Sequence, residues 1–483
     1  MIGIRKSASI DKAIGVSICL LIGILPIAEY TVPVLLVLLS MIFGIRYIDR
    51  QSVKIAAPVI FYCVTQLGFM IYHPGWLILD ETLATILVII GLAAIPMSAL
   101  FKAYFLNLRD IEAMVLIGIL LICSVFAYQY LILDGCRVRA FSVGPLGPPV
   151  IMLPLSLFII SNRALNERFN ILDCLVLFVL IVSMGAFLGA RMSFYSCVLI
   201  SFFLIVVLIA KHKQTFGLWI FLSLCCGVYA ASSIDKCGDF NRISTHLKML
   251  EILLPSVVFD EDNVELKPSF KQEVTLENTS KSTIRSAPST LNNLTDLPVI
   301  NASIALPVNK ISSIYQNRLS SGILSTADAN TQENHLNGKP KAVADNTQNQ
   351  TLNNFISLES SSGDRLLMWL TAIEHFTSLD NFSSILLGSG RVFAKELQEP
   401  HPHTHNQFLS WLTCSGLLGL FAGVLLFGPL FLNAFNATTV FIFFSTCILG
   451  FLTDSPLFIR DTTSQFLIML LFVQSLWHHK MQS

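Results

Sequence analysis

The sequence predicts an all-α polytopic membrane protein with about twelve transmembrane helices and one large loop between the ninth and tenth. Three observations predict it. Apolar residues come in long unbroken blocks, and 54% of the 483 residues are hydrophobic. Charged residues make up 13% of the chain, about half the share found in a soluble domain. The basic residues that remain gather at nearly every second turn between blocks, the alternation that the positive-inside rule requires.

The first block, 14–28, follows Arg5, Lys6 and Lys12. Glu29 and Tyr30 stand where a signal peptidase needs small residues, so the block reads as a first transmembrane helix and not a cleaved leader. The second, 31–47, is divided from it by the Pro26 to Pro33 stretch, which leaves a re-entrant hairpin as an alternative for this pair. Further blocks lie at 53–72, 82–101, 111–133, 145–161, 171–188, 194–210, 216–234, 407–432, 438–454 and 462–477. Crossing takes about 20 helical residues, so the shorter blocks are trimmed at their ends.

With the N-terminus inside, the cytoplasmic ends carry Arg46, Arg50, Lys54, Lys102, Arg109, Arg163, Arg168, Lys211, Lys213 and Lys480. Both termini are then cytoplasmic and the long loop lies outside. The organisation is a bundle of about nine helices over 1–234, a loop over 235–405 and about three helices over 406–483. The formal net charge is +0, which gives no electrostatic case for a nucleic-acid partner.

The loop is not uniform. Asp239 to Val258 places Ile243, Leu247, Leu250 and Leu254 at helical spacing and reads as a short amphipathic helix at the membrane. Residues near 260–360 are rich in Asn, Ser, Thr and Lys without periodicity; such a composition buries too little apolar surface to offset its ordering entropy, so disorder is expected. Helical pattern returns over Asp364 to Phe376 with Leu366, Leu367, Leu370 and Ile373. Of the 11 cysteines, nine sit in apolar blocks and read as small buried hydrophobes. Cys136 and Cys237 fall in outside loops, where an oxidising compartment would let them pair.

The chemistry concentrates between Gly363 and Leu420. The arginines placed outside, Arg137, Arg139, Arg191, Arg365 and Arg391, oppose the topological bias. Singly, each reads as well as a solvated or snorkelling side chain. As a set against an apolar wall they suit an anionic substrate, because the planar guanidinium grips phosphate through two parallel hydrogen bonds. His401, His403 and His405 alternate, but no cysteine or patterned carboxylate accompanies them, so no metal or other cofactor is expected. A histidine acting as proton acceptor near neutral pH is the better reading, with His405, at the start of an apolar helix and followed by Asn406, the first candidate. Gly416, Gly419, Gly423 and Gly428 form a small-residue face for close helix packing.

Together, His405, Asn406, Gly416 and Gly419 (H-N-x9-G-x-x-G), Arg365 and Trp369 (R-x3-W), and Leu387, Gly388 and Gly390 (L-G-x-G) resemble the O-antigen ligase family. That superfamily also holds O-antigen polymerases and protein O-oligosaccharyltransferases. Arg191 and the Arg139-to-Pro145 turn fit too; the likeness is strongest over 363–430 and looser over 137–200. The resemblance implies a metal-independent inverting glycosyltransferase of the bacterial inner membrane, active at its periplasmic face. The donor would be a glycan on undecaprenyl diphosphate and the acceptor a sugar hydroxyl of lipid A–core. Arg191 and Arg365 would grip the diphosphate, and His405 would activate or position the acceptor. Arg139, Arg391, His403, Asn406 and Trp369 would complete the substrate site. The insert near 260–360 is longer than the family's usual loop.

The runner-up is a polysaccharide polymerase using the same donor. Polymerases often carry R-x10-G in their outside loops, whereas eleven residues after Arg139, Arg191, Arg365 and Arg391 stand Val150, Phe202, Phe376 and Pro402. A transporter or lipid flippase would share the helix number, but no matched pair of broken helices is visible and the outside cations share one face.

Overall fold

The computed structural model describes residues 8–27, 30–105, 110–133, 147–188, 190–238, 368–390, 405–434, 437–453, 455–458 and 460–482. The amphipathic segment at Asp239 to Val258 and the insert near 260–360 lie outside them. Among the described residues there is no strand. The helices are α1 (Ala8–Ile24), α2 (Thr31–Phe43), α3 (Arg50–Tyr72), α4 (Pro74–Leu79), α5 (Glu81–Phe105), α6 (Ile111–Leu131), α7 (Gly147–Leu165), α8 (Ile171–Val182), α9 (Arg191–Ala210) and α10 (Gln214–Ile234). After the loop come α11 (368–377), α12 (Phe382–Leu387), α13 (Gln407–Ala434), α14 (Thr438–Thr453) and α15 (Arg460–Gln482).

Each of the twelve apolar blocks falls on a helix, and seven of these helices are long and apolar enough to cross a membrane. The protein is membrane-embedded: side chains such as Phe202, Leu199, Leu218, Phe421 and Val424 are exposed along the outer faces of α9, α10 and α13, a load of apolar surface that water would not tolerate. Cys225 and Cys226 also lie exposed on α10; the expectation that cysteines inside apolar blocks are buried does not hold there, because a lipid-facing surface accepts small hydrophobes as readily as a core.

α1 and α2 do not pack as a tight hairpin. α1 lies along α6 and α2 along α5. Gly23 and Gly118 make the first contact possible, since a Cβ on Gly23 would stand 2.7 Å from the Gly118 Cα. The centre of the bundle is made by α7 and α15. Every residue from Thr462 to Leu476 is buried, and α15 packs against α3, α5 and α7. Thr462, Thr463, Ser464, Gln465, Gln474 and Ser475 make it the most polar of the bundle helices, which suits a helix surrounded by other helices and shielded from lipid.

Charged contacts gather at one end. Lys102 bonds Asp49, joining the close of α5 to the start of α3. Arg163 Nε donates to Asp173 Oδ1 at 2.7 Å with both side chains buried, joining α7 to α8. Lys213 pairs with Glu167 at 3.0 Å and donates to the Leu165 carbonyl. These are the basic ends that the sequence assigns to one side. At the opposite end the Tyr130 hydroxyl accepts from the Lys236 N–H, and the neighbouring Cys237 is in a disulfide. The other cysteine outside the apolar blocks, Cys136, lies beyond the described residues.

Candidate functional site

The end opposite the ion pairs is where α3, α11, α12, α13 and the 455–458 turn converge. Asn406 starts α13. Its Oδ1 accepts from the backbone N–H groups of Phe408 and Leu409 at 3.0 and 3.1 Å, the usual role of an N-cap asparagine, and the residue is buried. The resemblance put Asn406 in the substrate site; the structure uses its side-chain oxygen to begin the helix. His405, just before it, is half-buried and has φ of 50°, a left-handed conformation uncommon outside glycine.

Three contacts hold the head of α13, and a fourth braces the 455–458 turn beside it. Gln407 Oε1 accepts from the Leu457 N–H at 2.9 Å, and the Ser410 and Ser455 hydroxyls lie 2.9 Å apart. Trp411 Nε1 donates to the Tyr62 hydroxyl of α3 at 3.2 Å. Trp76 of α4 stacks on Phe458 with ring centroids 5.8 Å apart. One level deeper, the Ser415 hydroxyl donates to Gln66 Oε1. The Nε2 groups of Gln66 and Gln407 and the Nε1 group of Trp76 are buried and have no hydrogen-bond partner among the described residues, so three unmatched donors sit in this region.

α13 is broken at Gly416, where φ is 63° and ψ −160°. The break receives the turn after α12. The Ser389 N–H donates to the Thr413 carbonyl at 2.9 Å, and Gly388 and Gly390 have φ of 74° and 78°. Gly416 therefore does more than offer a smooth face. Gly423 packs under the Trp411 ring, Gly419 meets mainly Ser415 of its own helix, and Gly428 borders open space.

Two histidines hold the same turn. His73, at the close of α3, stands beside the α12 end at Leu387, and Gly390 lies over its ring so closely that a Cβ would come within 2.9 Å of Cγ. Burial pushes the His73 pKa below the ordinary histidine value, with the Leu387 backbone opposing in part. His375, on the buried face of α11 with Met368 and Ala372, holds Nε2 2.7 Å from the Ser389 hydroxyl. Burial lowers its pKa as well. Of the apolar residues named from the sequence for this helix, Leu370 and Ile373 are exposed, and Leu366 and Leu367 lie outside the described residues.

Of the residues nominated from sequence, His405 and Asn406 stand at the head of α13, and Trp369 lies half-buried on α11, the helix that carries His375. Arg191 is the first residue of α9, four positions after the end of a π-helical segment, Ser183–Phe187, a local irregularity often found at functional sites. α9 and α13 both pack on α14. Arg139, Arg365, Arg391 and His403 lie outside the described residues. Among the described residues no group of three or more potential metal ligands occurs. Sequence reasoning missed His73, His375, Ser389, Gln66 and Gln407. Ser389 occupies the open position of L-G-x-G, and His375 stands six residues after Trp369; these were the available signals. No protein-family model matches the chain, and no curated protein matches it.

Proposed function

We propose that the chain is an inverting, metal-independent glycosyltransferase of the O-antigen ligase type, moving a glycan from undecaprenyl diphosphate to a lipid A–core sugar hydroxyl at the periplasmic face of the bacterial inner membrane. The observation that carries this reading is the meeting of two motifs. The L-G-x-G turn docks into the glycine break of H-N-x9-G-x-x-G through the Ser389–Thr413 backbone bond, which supports reading these two motifs, distant along the chain, as parts of one site. The disulfide at Cys237 supports an oxidising compartment at that end. The ion pairs at the other end support a cytoplasmic side. Twelve crossings and two cytoplasmic termini are part of the same proposal.

In this reading the acceptor oxygen attacks the anomeric carbon from the face opposite the diphosphate, and the bond to the diphosphate breaks with its electron pair leaving on oxygen. Arg191 and Arg365 stabilise that developing charge, which removes the need for a general acid. His405 activates or positions the acceptor.

The test expresses wild type, His405→Ala and Arg191→Ala at matched levels in cells lacking their own ligase, and follows lipopolysaccharide beside the undecaprenyl-linked pool. Capped lipopolysaccharide with wild type, lost in both variants as lipid-linked glycan accumulates, is the expected result. A wild type that changes only glycan chain length points to the polymerase. A wild type with no effect on either pool overturns the transferase reading.

A further inference from the structure

The His375–Ser389 pair is unused by that account. Serine hydroxyls in the bundle mostly return to a carbonyl of their own helix, as those of Ser17, Ser124, Ser156, Ser161, Ser223 and Ser475 do. Ser389 instead bonds an imidazole at 2.7 Å. The arrangement is layered: Ser389 is half-buried, while His375 behind it is 7% exposed. A hydroxyl can donate to one partner and accept from another at once, so Ser389 stands where it can pass a proton from outside to the buried ring.

We propose that Ser389 and His375 form a proton relay for the acceptor hydroxyl, with Ser389 Oγ touching the substrate and His375 Nε2 as the terminal base. This rests on the transferase reading above. As the acceptor oxygen bonds to the anomeric carbon, its proton passes to Ser389 Oγ, and the proton of Ser389 passes to His375 Nε2. Neutral histidine becomes imidazolium, the hydroxyl is regenerated, and undecaprenyl diphosphate departs with the electron pair of the broken bond. His405 then takes the positioning role.

Three features fit a relay. The geometry matches what proton transfer needs, a base within about 2.6–3.2 Å of the proton's carrier. Burial favours the neutral imidazole, the form able to accept. The turn is also rigid: Gly388 N–H donates to the Ser384 carbonyl, Ser389 N–H to the Thr413 carbonyl, and Gly390 is seated on His73. A positioned hydroxyl of this kind loses little order when substrate arrives.

The test uses the full-length chain in proteoliposomes with an undecaprenyl-diphosphate-linked glycan and lipid A–core. Ser389→Ala is expected to lower kcat by about 10²-fold or more, the usual contribution of a general base, with the donor KM within about two-fold of wild type, since only the transition state loses an interaction. Ser389→Thr keeps the hydroxyl and is expected to retain most activity. His375→Ala is expected to fall similarly and to recover in part with added imidazole. A Ser389→Ala protein with kcat near wild type overturns the relay. So does an equal loss in Ser389→Ala and Ser389→Thr with no imidazole rescue of His375→Ala, which assigns the pair a structural role. A wild type without transfer overturns the transferase reading itself and the relay with it.

Discussion

Gly388 and Gly416 meet backbone to backbone. A Cβ on Gly388 would stand 2.5 Å from the Gly416 nitrogen, and one on Gly416 would stand 2.5 Å from the Gly388 nitrogen. Both also hold positive φ. Each is therefore closed to any side chain twice over, once by its own backbone and once by its neighbour's.

Gly388→Ala and Gly416→Ala are each expected to destabilise the protein by more than the ~1–3 kcal/mol that the strained backbone alone costs, because main chain cannot yield as a side-chain tip can. Gly428→Ala, with nothing within 4 Å of its Cβ position, is expected to change stability by no more than about 0.5 kcal/mol. Thermal unfolding in detergent followed by tryptophan fluorescence compares the three.

Asn406→Ala removes the oxygen that caps α13, a loss of about 1 kcal/mol. Asn406→Asp and Asn406→Ser keep a capping oxygen and are expected to restore stability. If transfer activity follows stability across the three variants, capping is the role of Asn406. An Asn406→Ser protein that is stable yet inactive would return it to the substrate.

Arg163 and Asp173 test how the bundle handles a buried ion pair. Arg163→Met alone leaves a buried carboxylate without its cation and is expected to cost about 3–5 kcal/mol. Arg163→Met with Asp173→Leu removes both charges and is expected to recover much of that loss. Detergent melting of the single and double variants is the measurement.

Asp49 predicts a pH effect at the same end. Its carboxyl is lowered to about 2, chiefly by the Lys102 hydrogen bond, with Ser52 adding to it. A depressed folded-state pKa contributes stability above the unfolded value of about 3.9 that disappears as pH falls toward 2. Asp49→Asn, which can still cap α3 at Ser52, is expected to melt slightly below wild type at pH 6 and to converge with it as pH approaches 2. The contribution is small, because the side chain is 44% exposed.

What was legible in the sequence is what lipid demands of it. Twelve apolar blocks read as helices because nothing else satisfies backbone polar groups inside a membrane, and Lys102, Arg163 and Lys213 read as one end because basic residues mark a side. The direction in which each helix faces was not legible. Leu370 and Ile373 are exposed while His375 on the same helix is buried; the imidazole turns inward because Ser389, fourteen residues on, bonds it there, and hydropathy carries no sign of that partner. Gly416 lies inside an unbroken apolar run, so only the docking of Gly388 reveals the break. His73 and Gly390 are more than three hundred positions apart, and no local pattern joins them.

The position of α15 bears on how the protein is made. The helix around which α3, α5 and α7 close is the latest of the described helices in chain order. Until the ribosome releases it, the apolar helices that precede it must wait in the bilayer around a gap that lipid or an insertase fills. Membrane insertion and final packing are thus separate events in time. A premature stop before Arg460 would leave a chain integrated in the membrane whose centre never forms, a substrate for membrane proteases.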